Sequence, residues 1–114
     1  MSISCEAYIG YTVNLATDLT EEDFEFFDNA EDIELPDRVQ IVVDGMCGHY
    51  ARLIYVDRIL DCWCDCAEAE YFPLKCPEGI PDKIFRDLNK AYCALYRKLL
   101  NRNQVEYALS FHYY

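Results

Sequence analysis

The residues of this chain best suited to chemistry are its thiols. Cys62-Trp63-Cys64-Asp65-Cys66 is followed by Cys76 ten residues on. A structural zinc needs four thiolate or imidazole ligands in a tetrahedron, and its usual knuckle is Cys-x2-Cys, which lets the backbone turn around the metal. Cys-x-Cys fits that geometry less well. In an extended chain, residues 62, 64 and 66 share one face, where they serve as small core residues or meet Cys5 or Cys47 across a sheet. Buried thiols are the reading taken, with no metal and no cofactor expected. A small structural protein holding zinc through Cys62, Cys64, Cys66 and Cys76 is the alternative, and a redox or disulfide role is the third.

Nucleophilic catalysis would call on Cys47 with His49, or on His112. Only Gly48 separates Cys47 from His49, so the two side chains point apart in most turns, and no Asp or Asn is patterned to orient a base. The sequence also lacks a Gly-rich phosphate loop, a paired metal-binding histidine motif and a nucleophile elbow. The expectation is a binding protein, not an enzyme.

What it binds is suggested by charge. The formal net charge of −11 is unevenly spread: residues 1–74 hold seventeen acidic side chains against three basic ones, and residues 75–102 hold three against seven. Between positions 18 and 37 ten acidic residues occur without one Lys or Arg. So many like charges repel one another and weaken the fold locally unless a cation or a basic surface meets them. A run of this kind is often no more than a solvated face. Its confinement to one segment interleaved with Phe points instead to a basic protein surface, and away from DNA or RNA, whose phosphates it would repel. Glu21, Glu22, Asp23, Glu25, Asp28, Glu31, Asp32 and Glu34 are the residues expected to contact that partner, pairing with its Arg and Lys groups as nucleic-acid phosphates would.

In size, acidity and absence of catalytic motifs the chain resembles the small phage-encoded inhibitors of bacterial defence nucleases, the anti-CRISPR proteins among them. The likeness is one of physical type over the whole chain, with no shared residue motif. It implies a DNA mimic that occludes the basic site through which a Cas9-type effector reads its short duplex motif or holds its guide–target duplex. It also implies a place in the host cell's cytoplasm.

The elements that must position these groups are legible in the hydrophobic pattern. A length of 114 residues fits a single domain over 1–114. Seven cysteines, an odd number, and a first segment without signal-peptide character predict a reducing cytosol. No apolar stretch reaches the roughly 20 residues of a spanning helix. Cys5, Ala7, Ile9, Tyr11, Val13 and Leu15 alternate with Ser4, Glu6, Tyr8, Thr12 and Asn14, which predicts a half-buried strand. Thr20 caps a short acidic helix to about Asn29, with Phe24, Phe27 and Phe26 turned inward. Residues 38–60 read as a hairpin around Asp44-Gly45, and Tyr71 to Pro81 as an irregular connection. From Asp82 to about Arg102 a long amphipathic helix is expected, its apolar stripe running Phe85, Leu88, Tyr92, Leu95 and Leu99. Its Lys83, Arg86, Lys90, Arg97, Lys98 and Arg102 form a solvent face. Val105 to Tyr113 alternates as a last strand whose aromatic edge invites pairing with a second copy in a homodimer. The sum is an α+β fold: a mainly antiparallel sheet of four to five strands, one long helix on a face, and one short acidic helix.

Overall fold

The computed structural model describes residues 3–44, 50–64, 71–75 and 79–113. They form an α+β structure built on one antiparallel sheet. The strands are β1 (Ile3–Thr17), β2 (Val39–Asp44), β3 (Tyr50–Cys64), the three-residue β4 (Tyr71–Pro73) and β5 (Val105–Tyr113), in the order β2-β3-β1-β5-β4. Between them lie the helices α1 (Glu21–Asn29) and α2 (Asp82–Tyr96). Among the described residues no helix is long and apolar enough to cross a membrane.

β1 is the axis of the sheet, flanked by β3 on one side and β5 on the other. Its alternation correctly assigns Tyr11 and Val13 to the face that meets α2, where Val13, Leu53, Tyr55 and Val39 pack against Leu88, Ala91 and Tyr92. Burying the Leu88 side chain alone removes enough apolar surface to contribute about 2–3 kcal/mol. The opposite face departs from the half-buried expectation. Tyr8 and Thr12 are 6% and 1% exposed, and Tyr8 joins Val42, Tyr50, Ile54 and Val56 in a second cluster.

That burial follows from curvature. The β1–β3 register slips between Ile9 and Gly10, where Asp57 is the extra residue on β3, and again between Asn14 and Ala16, where Leu15 is extra on β1. Bulges bend a strand and increase its twist. The sheet therefore curls enough to bring β2 near β5, although β3 and β1 lie between them. Gly10 makes the first bend possible, because a Cβ there would lie 2.0 Å from the carbonyl oxygen of Tyr55.

Two expectations about the second half are corrected. α2 stops at Tyr96, six residues short of Arg102, because Arg97 turns left-handed (φ 57°) and donates its N–H to the Cys93 carbonyl. The chain then doubles back: Leu100 N–H donates to Asn89 Oδ1 at 2.9 Å, and Leu100 enters the core. Leu99, assigned to the apolar stripe, is 79% exposed instead. The connection before α2 is not wholly irregular either, since Tyr71–Pro73 pairs with Ser110–Ala108 as β4, and Leu74 N–H donates to Tyr107 O at 2.7 Å. β4 thereby pairs with Ala108–Ser110, the middle of the strand expected to offer an edge to a second copy.

Candidate functional site

The acidic segment folds as its capping signals require. Thr20 is the N-cap of α1: its Oγ1 accepts from Asp23 N–H at 3.2 Å, while its own N–H donates to Asp23 Oδ2 at 3.0 Å. This reciprocal box satisfies two amide donors that a helix start leaves open. Glu21, Glu22 and Asp23 sit in the first turn, where the helix dipole favours negative charge. These three carboxylates have a structural reason to be there.

The rest do not. Glu25 and Asp28 lie past the first turn, and the last turn of α1 contains no basic residue. Glu21, Glu25 and Asp28 follow one another at steps of four and three, so they line one face of the helix about 5–6 Å apart. A 3-10 turn, Ala30–Asp32, follows the helix and ends on Asp32. Glu21, Glu22, Glu25, Asp28, Asp32 and Glu34 are all exposed, Asp23 is half-buried, and the side chain of Glu31 lies outside the described set. Like-charge neighbours at this spacing each weaken a helix by a few tenths of a kcal/mol. At the start of α2 Arg102 pairs with Asp82 at 2.6 Å, and among the described residues no ion pair involves this ridge.

What holds the ridge in place is aromatic. Phe27 is buried, and Phe26, though 39% exposed, stacks on Tyr96 at the end of α2 with ring centroids 5.5 Å apart. Phe26 and Phe27 meet edge to face at 5.1 Å, and Tyr92 packs on Tyr96 at 5.0 Å. Burial, then the neighbouring Tyr92, then the charge of Asp23 hold the Tyr96 hydroxyl above the usual phenol pKa. α1 is thus pinned by its apolar side and leaves its carboxylates to solvent.

Between α1 and the edge strand β2 runs a groove of about 450 Å³. Phe27, Ala30, Ile33 and Leu35 form its apolar wall, Asp28 stands on its rim, and residues 40–43 of β2 form its other side. Charge counting did not reveal this groove. Its signal in the sequence is the run Ile33, Leu35 and Pro36, apolar residues set among acids.

The thiols are placed less fully. β3 continues through Cys64, and the register sets Cys62 opposite Cys5 on β1. Cys66, Cys76, Cys47 and His49 lie outside the described residues, and nothing is assigned to the side chains of Cys62, Cys64 or His112. Cys93, on α2, is half-buried, with its Sγ 3.1 Å from the Lys98 carbonyl oxygen. The basic residues of α2 and its flank are exposed, and Arg102 is engaged by Asp82, by the Ile80 carbonyl and by the Phe85 ring.

No family model, curated protein or solved structure matches this chain.

Proposed function

We propose that this protein is an inhibitor that binds a nucleic-acid-handling protein, of the Cas9-type nuclease kind, and occupies its basic DNA- or RNA-binding surface with the acidic ridge of α1. The observation that supports the reading is that Glu25 and Asp28 lie past the first turn of α1, where like charges oppose helix stability, and that they and the exposed Asp32 of the following 3-10 turn meet no cation among the described residues. Carboxylates fixed at regular spacing on a pinned helix engage guanidinium and ammonium groups by charge-assisted hydrogen bonds, as phosphates do. Stacking of Phe26 on Tyr96 spares the ridge much of the entropy cost of ordering on binding.

The test is competition. Purified protein is added to a panel of nucleic-acid-handling enzymes, Cas9-type nucleases included, and DNA cleavage and capture are followed at low and high salt with and without competing duplex. Inhibition that salt or DNA relieves is the expected result. The variant Glu22→Gln, Glu25→Gln, Asp28→Asn, Asp32→Asn, Glu34→Gln should lose it while remaining folded, because Thr20 and Asp23 are kept. Unimpaired cleavage and no capture at either salt across the panel would remove the proposal.

A further inference from the structure

Among the described residues nothing pairs with the edge of the sheet beside the acidic ridge. Val56 N–H donates to the Arg38 carbonyl at 2.7 Å, and the register pairs Gln40 with Ile54 and Val42 with Arg52. Bonded pairs alternate along an antiparallel ladder, so Gln40 and Val42 turn their amides and carbonyls toward β3, and Ile41 and Val43 turn theirs away. β2 is the outermost strand on that side, and among the described residues no backbone group bonds Ile41 or Val43 from without.

Exposed edges are ordinarily blunted with Lys, Pro or a bulge, because unpaired ladder groups recruit other chains. β2 reads Val39-Gln40-Ile41-Val42-Val43-Asp44 and pairs with β3 without a register shift, so it has none of these. Residues 40–43 line the groove together with Phe27, Ile33, Leu35, Asp28 and Tyr8 of β1, and Asp32 and Glu34 are exposed in the adjoining segment. Backbone donors and acceptors, an apolar wall and an acidic rim together describe a seat for one extended strand.

The rim decides which strand. A second copy, with a net charge of −11, would set its own β2 and its own Asp28, Asp32 and Glu34 against these. A strand that alternates apolar with basic residues places one set on the wall and the other on the carboxylates.

We propose that β2 accepts an extended basic segment of the partner protein as an added strand, held by ladder bonds to Ile41 and Val43 and by ion pairs to Asp28, Asp32 and Glu34. The sign of the partner's charge rests on the acidic-surface reading given above. The strand pairing adds a directional, backbone-dependent contact to it.

The probe is a fluorescent nonapeptide alternating valine with lysine or arginine, used with the full-length protein. Two further versions are N-methylated on the odd or on the even residues, and a third carries glutamate in place of the basic residues. Anisotropy gives affinity, and amide hydrogen exchange gives the site. The expected result is slowed exchange at Ile41 and Val43, with one N-methylated isomer weakened at least about tenfold and the other retained, since a strand offers alternate amides to its neighbour. The glutamate peptide should not bind, and Asp28→Asn with Asp32→Asn should weaken the basic one. Equal binding of both N-methylated isomers, with Ile41 and Val43 unprotected, would overturn the strand pairing while leaving the acidic-surface reading in place. Failure of the basic peptide to bind overturns it as well, as does concentration-dependent protection of Ile41 and Val43 in the free protein, which would mark a second copy at the edge.

Discussion

The hydroxyl of Tyr107 on β5 donates to Asp57 Oδ2 on β3 at 3.0 Å, crossing over β1, which lies between those strands. Asp57 is the extra residue of the bulge opposite Gly10, and the Tyr107 ring packs on Tyr11 with centroids 5.0 Å apart. The bond ties the bent part of β3 to the far side of the central strand. Both groups are partly exposed, so Tyr107→Phe should cost about 0.5–1 kcal/mol. Asp57→Ala should cost a similar amount, and the double variant little more than either. Urea unfolding of the four proteins measures the coupling, and full additivity would mean that the bond contributes nothing.

Gly10→Ala should be far more damaging. The new methyl would collide with the Tyr55 carbonyl at 2.0 Å, and backbone cannot yield as a flexible side chain does. A loss of about 3 kcal/mol or more is expected, at the upper end for overpacking. The midpoint of chemical denaturation reads it directly.

Arg97→Gly should do the reverse. Arg97 caps α2 at φ 57°, a conformation costing a non-glycine residue about 1–2 kcal/mol, and its side chain is exposed. Glycine should raise stability by about 1 kcal/mol and the melting temperature by roughly 4 °C. Arg97→Val should lower both, which calorimetry would show.

Tyr96 should ionise above the ordinary tyrosine range. Burial first, then Tyr92, then Asp23 disfavour its phenolate. A pKa raised in the folded state means the folded protein keeps a proton that the unfolded chain releases. The contribution to stability is therefore fully present below about pH 10, the ordinary tyrosine value, and is lost as pH rises through the folded pKa. Ultraviolet titration of the native protein and of Tyr96→Phe should differ by one late-ionising group, with the variant less sensitive to alkali.

How much of this was legible in the sequence depended on the range of the interaction responsible. The Thr20 cap, the extent of α1 and the alternation of β1 are set by neighbours a few residues apart, and the pattern shows them. The end of α2 is set by Asn89 accepting from Leu100, eleven residues on. A helical stripe running on to Leu99 carries no trace of that bond. β4 escaped because Tyr71–Pro73 becomes a strand only through β5, some 37 residues later. The second buried face arises from the bulges at Asp57 and Leu15, which local alternation does not encode. Of the candidate site, the carboxylates were visible as composition, whereas their division into capping residues and unexplained ones, and the groove beside them, needed the packed helix.

The position of β1 also bears on how the molecule is made. β1 leaves the ribosome first of the five strands and β5 last, yet they are direct neighbours, with Val13 opposite Val105 and Ala7 opposite Phe111. Throughout synthesis β1 therefore has at most one side matched, by the β2–β3 hairpin, and its other side stays open until residues 105–113 emerge. Contacts so distant along the chain close slowly. A nascent or truncated polypeptide ending before β5 would leave one side of that long strand unpaired, a surface prone to aggregate until residues 105–113 are made.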